Sequence, residues 1–415
     1  MPSNPNYYLT ARQAADSLGV TRATLYAYTS RGQLRSEPVT GRPREHRYYR
    51  EDVERVKERK EARRDPARAA AKGLHWGGPV LESSITLIHN GKFFYRGRDA
   101  VTLAGTSSAE DVAALLWGPG ESEETGANAE TSRERLFEQP CALTSRQLAQ
   151  LRTCTTDPLA RLQAALPIAA ATDLPSCDLR PAAVRQTGAR IIRLLTTIVA
   201  RRVSHRARQP IHRVLQAAWA PGNDAVGDVI RTALVLCADH ELNVSAFTAR
   251  CAASAGATPY DVVSAAMATL KGYRHGGATE RVRALMAQTG TPGQARTLVA
   301  SRLRRGEGMP GFGHPLYPAG DPRAALLVRL AEASGNKAAW RPIRNLWRAG
   351  SELLQDVPNL DFGLAAVART HRLPEHAPLL LFALGRTIGW IAHAIEEYAS
   401  GQLIRPRARY TGPVP

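Results

Sequence analysis

Apolar positions recur at helical spacing along most of the chain. In "LTARQAADSLGVTRATLYAYTSRGQL" (residues 9–34), Ala14, Ala15 and Leu18 fall on one face. Thr10 is placed to cap that helix and Gly19 to stop it. Thr21 is placed to cap a second helix, with Leu25 and Tyr26 expected to point inward. "RPREHRYYREDVERV" follows as a basic, strand-like segment, a polar cap at Arg50-Glu51-Asp52, and a further helix. Helix, turn, helix, basic wing, helix is the pattern of a small winged helix-turn-helix over residues 1–60. Residues 61–79, charged and then alanine-rich, read as a linker.

Beyond it the period stays helical. The exception is "SSITLIHNGKFFYRGRD", a β-prone stretch with "NG" as its hairpin turn. "GPGESEETGANAETSRE" (118–134) is acidic and poor in apolar residues, a surface loop by composition. "APLLLFALGRTIGWIAHAI" (377–395) is the longest apolar run. Arg386 and His393 interrupt it and it is short for a membrane span, so a buried core helix is expected and no membrane partner. No fixed period recurs, which argues against a solenoid.

The chain has 415 residues, which predicts two or three folding units. Its net charge of +18 favours a polyanionic partner: nucleic acid, a phosphorylated cofactor or an anionic substrate. Residues 1–75 hold 16 Lys/Arg against 9 Asp/Glu, so the front end carries much of that excess. The five cysteines lie far apart without a C-x-x-C pair, which fits a reducing compartment and argues against a zinc ribbon or disulfide framework. The N-terminus shows no apolar h-region, so a cytoplasmic protein is expected.

Against this background a few polar residues stand out. "GMPGFGHPLYPAGDPRAA" sets His314 in a glycine- and proline-rich turn that can be neither regular helix nor central strand. "CADHELNVSAFTAR" places His240 between acids, and "LKGYRHGGATE" places His275 before two glycines, where backbone can approach a ligand. "VPNLDFGLA" puts Asp361 in an apolar context that disfavours its charge. Arg323, Arg386 and Arg405 are isolated guanidinium groups. Imidazoles can donate to developing oxyanions, a carboxylate can take a proton, and guanidinium groups hold carboxylates bidentately. The set points to carbon–carbon bond chemistry on a dicarboxylate.

"DHELNVSAFTAR", "LKGYRHGGATE", "GFGHPLYPAGDPRA", "PNLDFG" and "FALGRTIGWIAHAIEE…LIRPRARYTG" together resemble the citrate synthase family, in its order and at similar spacing, over roughly residues 80–415. The front end resembles the MerR-like or excisionase-like helix-turn-helix. The resemblance implies a mainly α fold: a large domain (80–275 and 371–415) and a small one (276–370), preceded by the winged helix-turn-helix. By position, His275 resembles the histidine that hydrogen-bonds the acetyl-CoA thioester oxygen, and Asp361 the base that takes the methyl proton. His314 resembles the group that polarises the oxaloacetate carbonyl. His240, Arg323 and Arg386 match oxaloacetate-binding residues. Arg405 matches an arginine contributed by the neighbouring subunit, which implies a homodimer.

The implied activity is condensation of acetyl-CoA with oxaloacetate through citryl-CoA to citrate and CoA, with no metal and no permanently bound cofactor. Three departures bear on it: Thr279 in "HGGAT" stands where asparagine is usual, Gly363 replaces a bulky residue after "DF", and Pro315 follows His314 where arginine is frequent. The first two leave propionyl-CoA, and so 2-methylcitrate synthesis, open. A regulator whose synthase-like part senses oxaloacetate or acyl-CoA is the other alternative. It would need the arginines but not Asp361.

Three readings of the front end stay open: DNA binding, protein docking, or simple solvation of its charges. In the first, Arg22, Thr24 and Tyr28 would face a major groove while Arg42, Arg44 and Arg47 meet phosphates.

Overall fold

The computed structural model describes residues 8–39, 42–50, 52–54, 56–57, 81–118, 136–138, 141–201, 209–408 and 410–413. The expected linker at 61–79 and all but the first residue of the acidic loop at 118–134 lie outside them. The chain divides into two compact units, Met1–Glu82 and Ser83–Pro415.

In the first unit β1 (Tyr8–Thr10) leads into α1 (Ala11–Leu18), α2 (Arg22–Ser30), β2 (Ser36–Val39) and β3 (Arg42–Tyr49). The strands form an antiparallel sheet in the order β1-β3-β2. Thr10 caps α1 in a capping box with Gln13, Gly19 closes it in the left-handed conformation, and Thr21 caps α2. Leu9, Ala14, Ala15, Leu18, Leu25, Leu34, Tyr48 and Val53 make the core. Two tyrosines exchange their expected places. Tyr28, three residues from Leu25 and so on its face, packs partly against the core, whereas Tyr26 is 54% exposed.

The second unit opens with a hairpin of β4 (Thr86–His89) and β5 (Lys92–Tyr95), joined by β6 (Arg98–Asp99). Asn90 and Gly91 both have positive φ (51° and 72°), the requirement of a type I′ turn. The chain is then helical: α3 (Ala100–Thr106), α4 (Ala109–Leu116), α5 (Ser145–Cys154), α6 (Pro158–Ala170), α7 (Pro181–Ala200), α8 (Ile211–Trp219) and α9 (Asp224–Cys237). After these come α10 (Val244–Ser254), α11 (Pro259–Leu270), α12 (Ala278–Ala287), α13 (Pro292–Arg304), α14 (Pro322–Ser334), α15 (Lys337–Leu354), α16 (Leu360–Thr370) and α17 (Ala377–Ser400).

The apolar run is α17, the central helix of this unit, packed against α7, α9, α10, α11 and α16. Two of its glycines permit that closeness. A Cβ at Gly385 would lie 2.6 Å from the Leu234 carbonyl, and one at Gly389 would strike the Ala238 carbonyl. Arg386, one residue past the first, is thereby delivered to the end of α9 with most of its side chain buried.

Candidate active site

His314 sits on a loop stitched to the start of α16. The Gly313 amide donates to the Val357 carbonyl (2.9 Å) and the Asn359 amide to the Gly311 carbonyl (2.9 Å). Asn359 Nδ2 donates to the Gly313 carbonyl (3.1 Å), while Asn359 Oδ1 caps α16 by accepting from the Asp361 amide. Gly311 and Gly313 have φ of 88° and 73°, and a Cβ at Gly313 would overlap the Asp356 carboxylate. The turn that breaks secondary structure thus fixes His314 and Asp361 together.

The groups around them are buried and close. The His240 and His314 rings lie edge to face, centroids 5.1 Å apart, and Tyr317 packs on both (5.5 and 5.0 Å). Arg323 is held by Asp321, Nε to Oδ1 at 2.9 Å and Nη2 to Oδ2 at 2.8 Å, and lies over the Tyr317 and Phe93 rings. Burial alone would raise the Asp321 carboxyl, but the Arg323 charge overrides it and keeps the acid ionised. Arg386 donates from Nε to the Cys237 carbonyl (2.8 Å) and stacks on Phe382, which also meets the His275 ring edge-on. Among the described residues its terminal nitrogens have no hydrogen-bond partner, and they are not fully sealed, so an anion can reach them.

The imidazoles are neutral at pH 7. Burial, reinforced by Arg386, lowers His275 to about 3, and burial with Arg323 lowers His314 to about 4. Burial and the same two arginines push His240 well below the ordinary value. His314 Nδ1 accepts the Leu316 amide (3.2 Å), which leaves the ring's proton on Nε2. His275 Nε2 lies 2.8 Å from Ser245 Oγ, and that oxygen also accepts from the Trp390 indole (3.1 Å).

Asp361 behaves oppositely. Burial, aided by the Asp321 charge and opposed by Arg323 and Arg386, raises it to about 7. Its Oδ1 is sealed without a hydrogen-bond partner. A carboxyl poised near neutrality beside arginines and neutral imidazoles is fit to remove a weakly acidic proton.

Of the expected residues, the structure brings together His240, His275, His314, Asp361, Arg323 and Arg386. Arg405 is exposed on the C-terminal segment and does not join them. Three partners were not foreseen: Asp321, Ser245 and Tyr317. Asp321 carried a signal, an acid capping a helix whose first residue is proline, two positions before Arg323.

The glycines after His275 and Phe362 have packing roles. Cβ atoms at Gly276 and Gly277 would meet Leu270 (2.6 Å) and the Lys271 carbonyl (2.9 Å), so both glycines close the turn after α11. Gly363 faces Leu327 and Ala324 of α14, not the imidazoles, and Thr279 is buried with its hydroxyl donating to the Gly276 carbonyl. Gly363→Ala is therefore expected to lower the melting temperature while leaving the ratio of acetyl- to propionyl-CoA turnover within twofold. A shifted ratio in steady-state assays would return Gly363 to the pocket.

In the N-terminal unit Arg22 is exposed and Thr24 partly so, its hydroxyl 3.0 Å from that of Thr21. Arg47 is committed within the sheet, 3.2 Å from Glu37 and over the Tyr8 ring at 4.0 Å. Arg42 and Arg44 lie on β3, and their side chains fall outside the described residues.

This geometry can bind a dicarboxylate, polarise a carbonyl and abstract a proton. The model of the citrate synthase C-terminal domain matches residues 73–407, and a helix-turn-helix domain model matches 8–61. The chain belongs to the citrate synthase family. Citrate synthase of Haloferax volcanii is 31% identical over 358 residues, 80% of this chain and 93% of that protein. The 2-methylcitrate synthase of Mycobacterium tuberculosis is 32% identical over 338 residues, covering 77% and 84%. The match to citrate synthase 2 of Bacillus subtilis is 36% identical but spans only 51% of that protein's length and 45% of this chain. The crystal structure of the Thermotoga maritima citrate synthase superposes with a TM-score of 0.70 at 25% identity, over 82% of this chain and 95% of that one. That of the Thermoplasma acidophilum enzyme, a ternary complex with carboxymethyl coenzyme A and oxaloacetate, gives 0.70 at 23% identity over 83% and 97%.

Proposed function

We propose that the protein condenses acetyl-CoA with oxaloacetate, releasing citrate and CoA. The observation that carries this reading is Asp361: a base raised to about 7 serves proton removal, whereas a mere sensor of oxaloacetate has no use for a costly buried carboxyl. Arg386 and Arg323 hold the dicarboxylate. The Ser245 hydroxyl has two acceptors at 2.8 Å, Asn243 Oδ1 and His275 Nε2; in this reading its one hydrogen turns to His275 Nε2, which leaves Nδ1–H to face the thioester oxygen. Asp361 takes the methyl proton, and His275 stabilises the enolate oxygen. The enolate carbon attacks the ketone carbon while His314 Nε2–H donates to its oxygen, and water then cleaves the citryl thioester.

In this reading residues 276–370 form the small domain, and two copies associate so that Arg405 reaches the neighbouring site. The test is CoA release with oxaloacetate and either acetyl-CoA or propionyl-CoA. Faster turnover of propionyl-CoA would make the protein a 2-methylcitrate synthase, and no turnover with either donor would overturn the enzyme reading. With Asp361 as base, kcat/KM for the acyl donor rises with pH through about 7 and levels above it. A profile flat from pH 5.5 to 8.5 would refute that assignment.

For the N-terminal unit we propose duplex DNA as ligand, met by the exposed face of α2 that carries Arg22 and Tyr26. Tyr26 replaces Tyr28 in this role. Affinity for DNA is expected to fall steeply between 50 and 200 mM salt, about tenfold or more. Salt-independent affinity would count against it.

A further inference from the structure

Among the described residues Tyr317 is the one aromatic side chain whose ring pairs with both His240 and His314, and the proposed reaction leaves it without a task. It is buried, and its backbone is tied at both ends of a turn. Its amide donates to the His314 carbonyl (2.9 Å), and its carbonyl accepts from the Gly320 amide (2.9 Å). The ring is held between His314 and the Arg323 guanidinium, 5.5 Å from its centroid. The side chain therefore has little freedom to redirect its hydroxyl.

That hydroxyl lies 2.9 Å from His240 Nε2, its one hydrogen-bond partner among the described residues. A hydroxyl carries a single hydrogen, and leaving it unmade in a buried place costs about 1–3 kcal/mol. If His240 donated from Nε2, the Tyr317 hydrogen would have no acceptor here. If Tyr317 donates, both atoms are satisfied and the ring's own proton goes to Nδ1. His240 Nδ1 is neither hydrogen-bonded nor sealed, so a donor there is open to a ligand.

We propose that Tyr317 is a positioning residue that fixes His240 as the Nδ1–H tautomer. His314, whose Nδ1 accepts the Leu316 amide, is fixed the opposite way as Nε2–H. The His240 ring, 5.1 Å from that of His314, thus offers one N–H and no competing acceptor to the substrate. This suits a keto acid, which presents a carbonyl and carboxylates, all acceptors. It disfavours the corresponding hydroxy acid, whose hydroxyl would bring a donor of its own. This last step rests on the oxaloacetate reading; the tautomer assignment does not.

The experiment is nitrogen NMR of full-length protein labelled at histidine with 15N, with His240→Gln and His314→Gln locating the two residues' signals. At pH 7 His240 is expected to show a protonated Nδ1 and a bare Nε2. In Tyr317→Phe the His240 signals should move toward a mixture of tautomers, and the dissociation constant for oxaloacetate by calorimetry should weaken about tenfold. A His240 that carries its proton on Nε2 in the unsubstituted protein overturns the proposal, even if Tyr317→Phe does not fold. So does a Tyr317→Phe protein with unchanged tautomer and affinity. If the expected tautomer is seen but oxaloacetate does not bind, the positioning role of Tyr317 stands and the substrate reading falls.

Discussion

Asp361→Asn is expected to abolish turnover, by about 10³-fold in kcat, while oxaloacetate still binds within threefold of its original affinity. The same change should make the protein more stable at pH 8. A carboxyl raised to about 7 from an ordinary 3.8 keeps its proton in the folded chain at pH values where the unfolded chain has lost it. Its contribution to stability therefore falls as pH rises from about 4 to 7 and stays unfavourable above. Asparagine has no charge to bury. The gain in melting temperature should be largest above pH 7, at ~2 °C or more, and shrink as pH falls toward 4. Melting curves across that range, beside the activity assay, read both effects. A variant that loses activity and is also destabilised at pH 8 would mean that Asp361 is structural, with its charge compensated by Arg323 or Arg386.

The fold was legible in the sequence where a residue's role is local. Thr10, Gly19 and Thr21 announce the two front helices, and Asn90-Gly91 the hairpin, because caps and left-handed turns act within a few residues. Tyr26 and Tyr28 were misassigned although the helical period itself favours Tyr28, three residues from Leu25 on the same face. The site residues were found through the resemblance, and geometry then gathered six of the seven. What the sequence could not show is pairing across distance. Ser245 meets His275 thirty positions on, and Tyr317 meets His240 seventy-seven positions back. Gly363 and Gly276 looked like pocket residues because glycine permits close approach without saying to what. One approaches a neighbouring helix and the other its own turn.

The loop glycines allow a sharper test, because two of them share a backbone conformation and differ in surroundings. Gly313 has φ of 73° and Gly306 has φ of 68°. A methyl group at either position incurs the left-handed penalty, about 1–2 kcal/mol. At Gly306 it would meet nothing within 4 Å, whereas at Gly313 it would overlap the Asp356 carboxylate. Swinging the Asp356 carboxylate aside would cost its bond from the Val357 amide (2.8 Å); otherwise relief moves the 311–314 segment or the 356–359 segment, which hydrogen bonds join, and shifts His314 relative to Asp361. Displacements near 1 Å in such geometry cost about 10²-fold in rate. Gly313→Ala should accordingly lose about 10²-fold in kcat/KM, and Gly306→Ala should lose a comparable part of its stability to backbone strain but less than threefold in activity. Equal activity losses would show that backbone strain alone governs this loop. No loss at Gly313 would show that the overlap is relieved at the Asp356 side chain, without moving His314 relative to Asp361. In either case a rigid link between His314 and Asp361 would have to be abandoned as the cause.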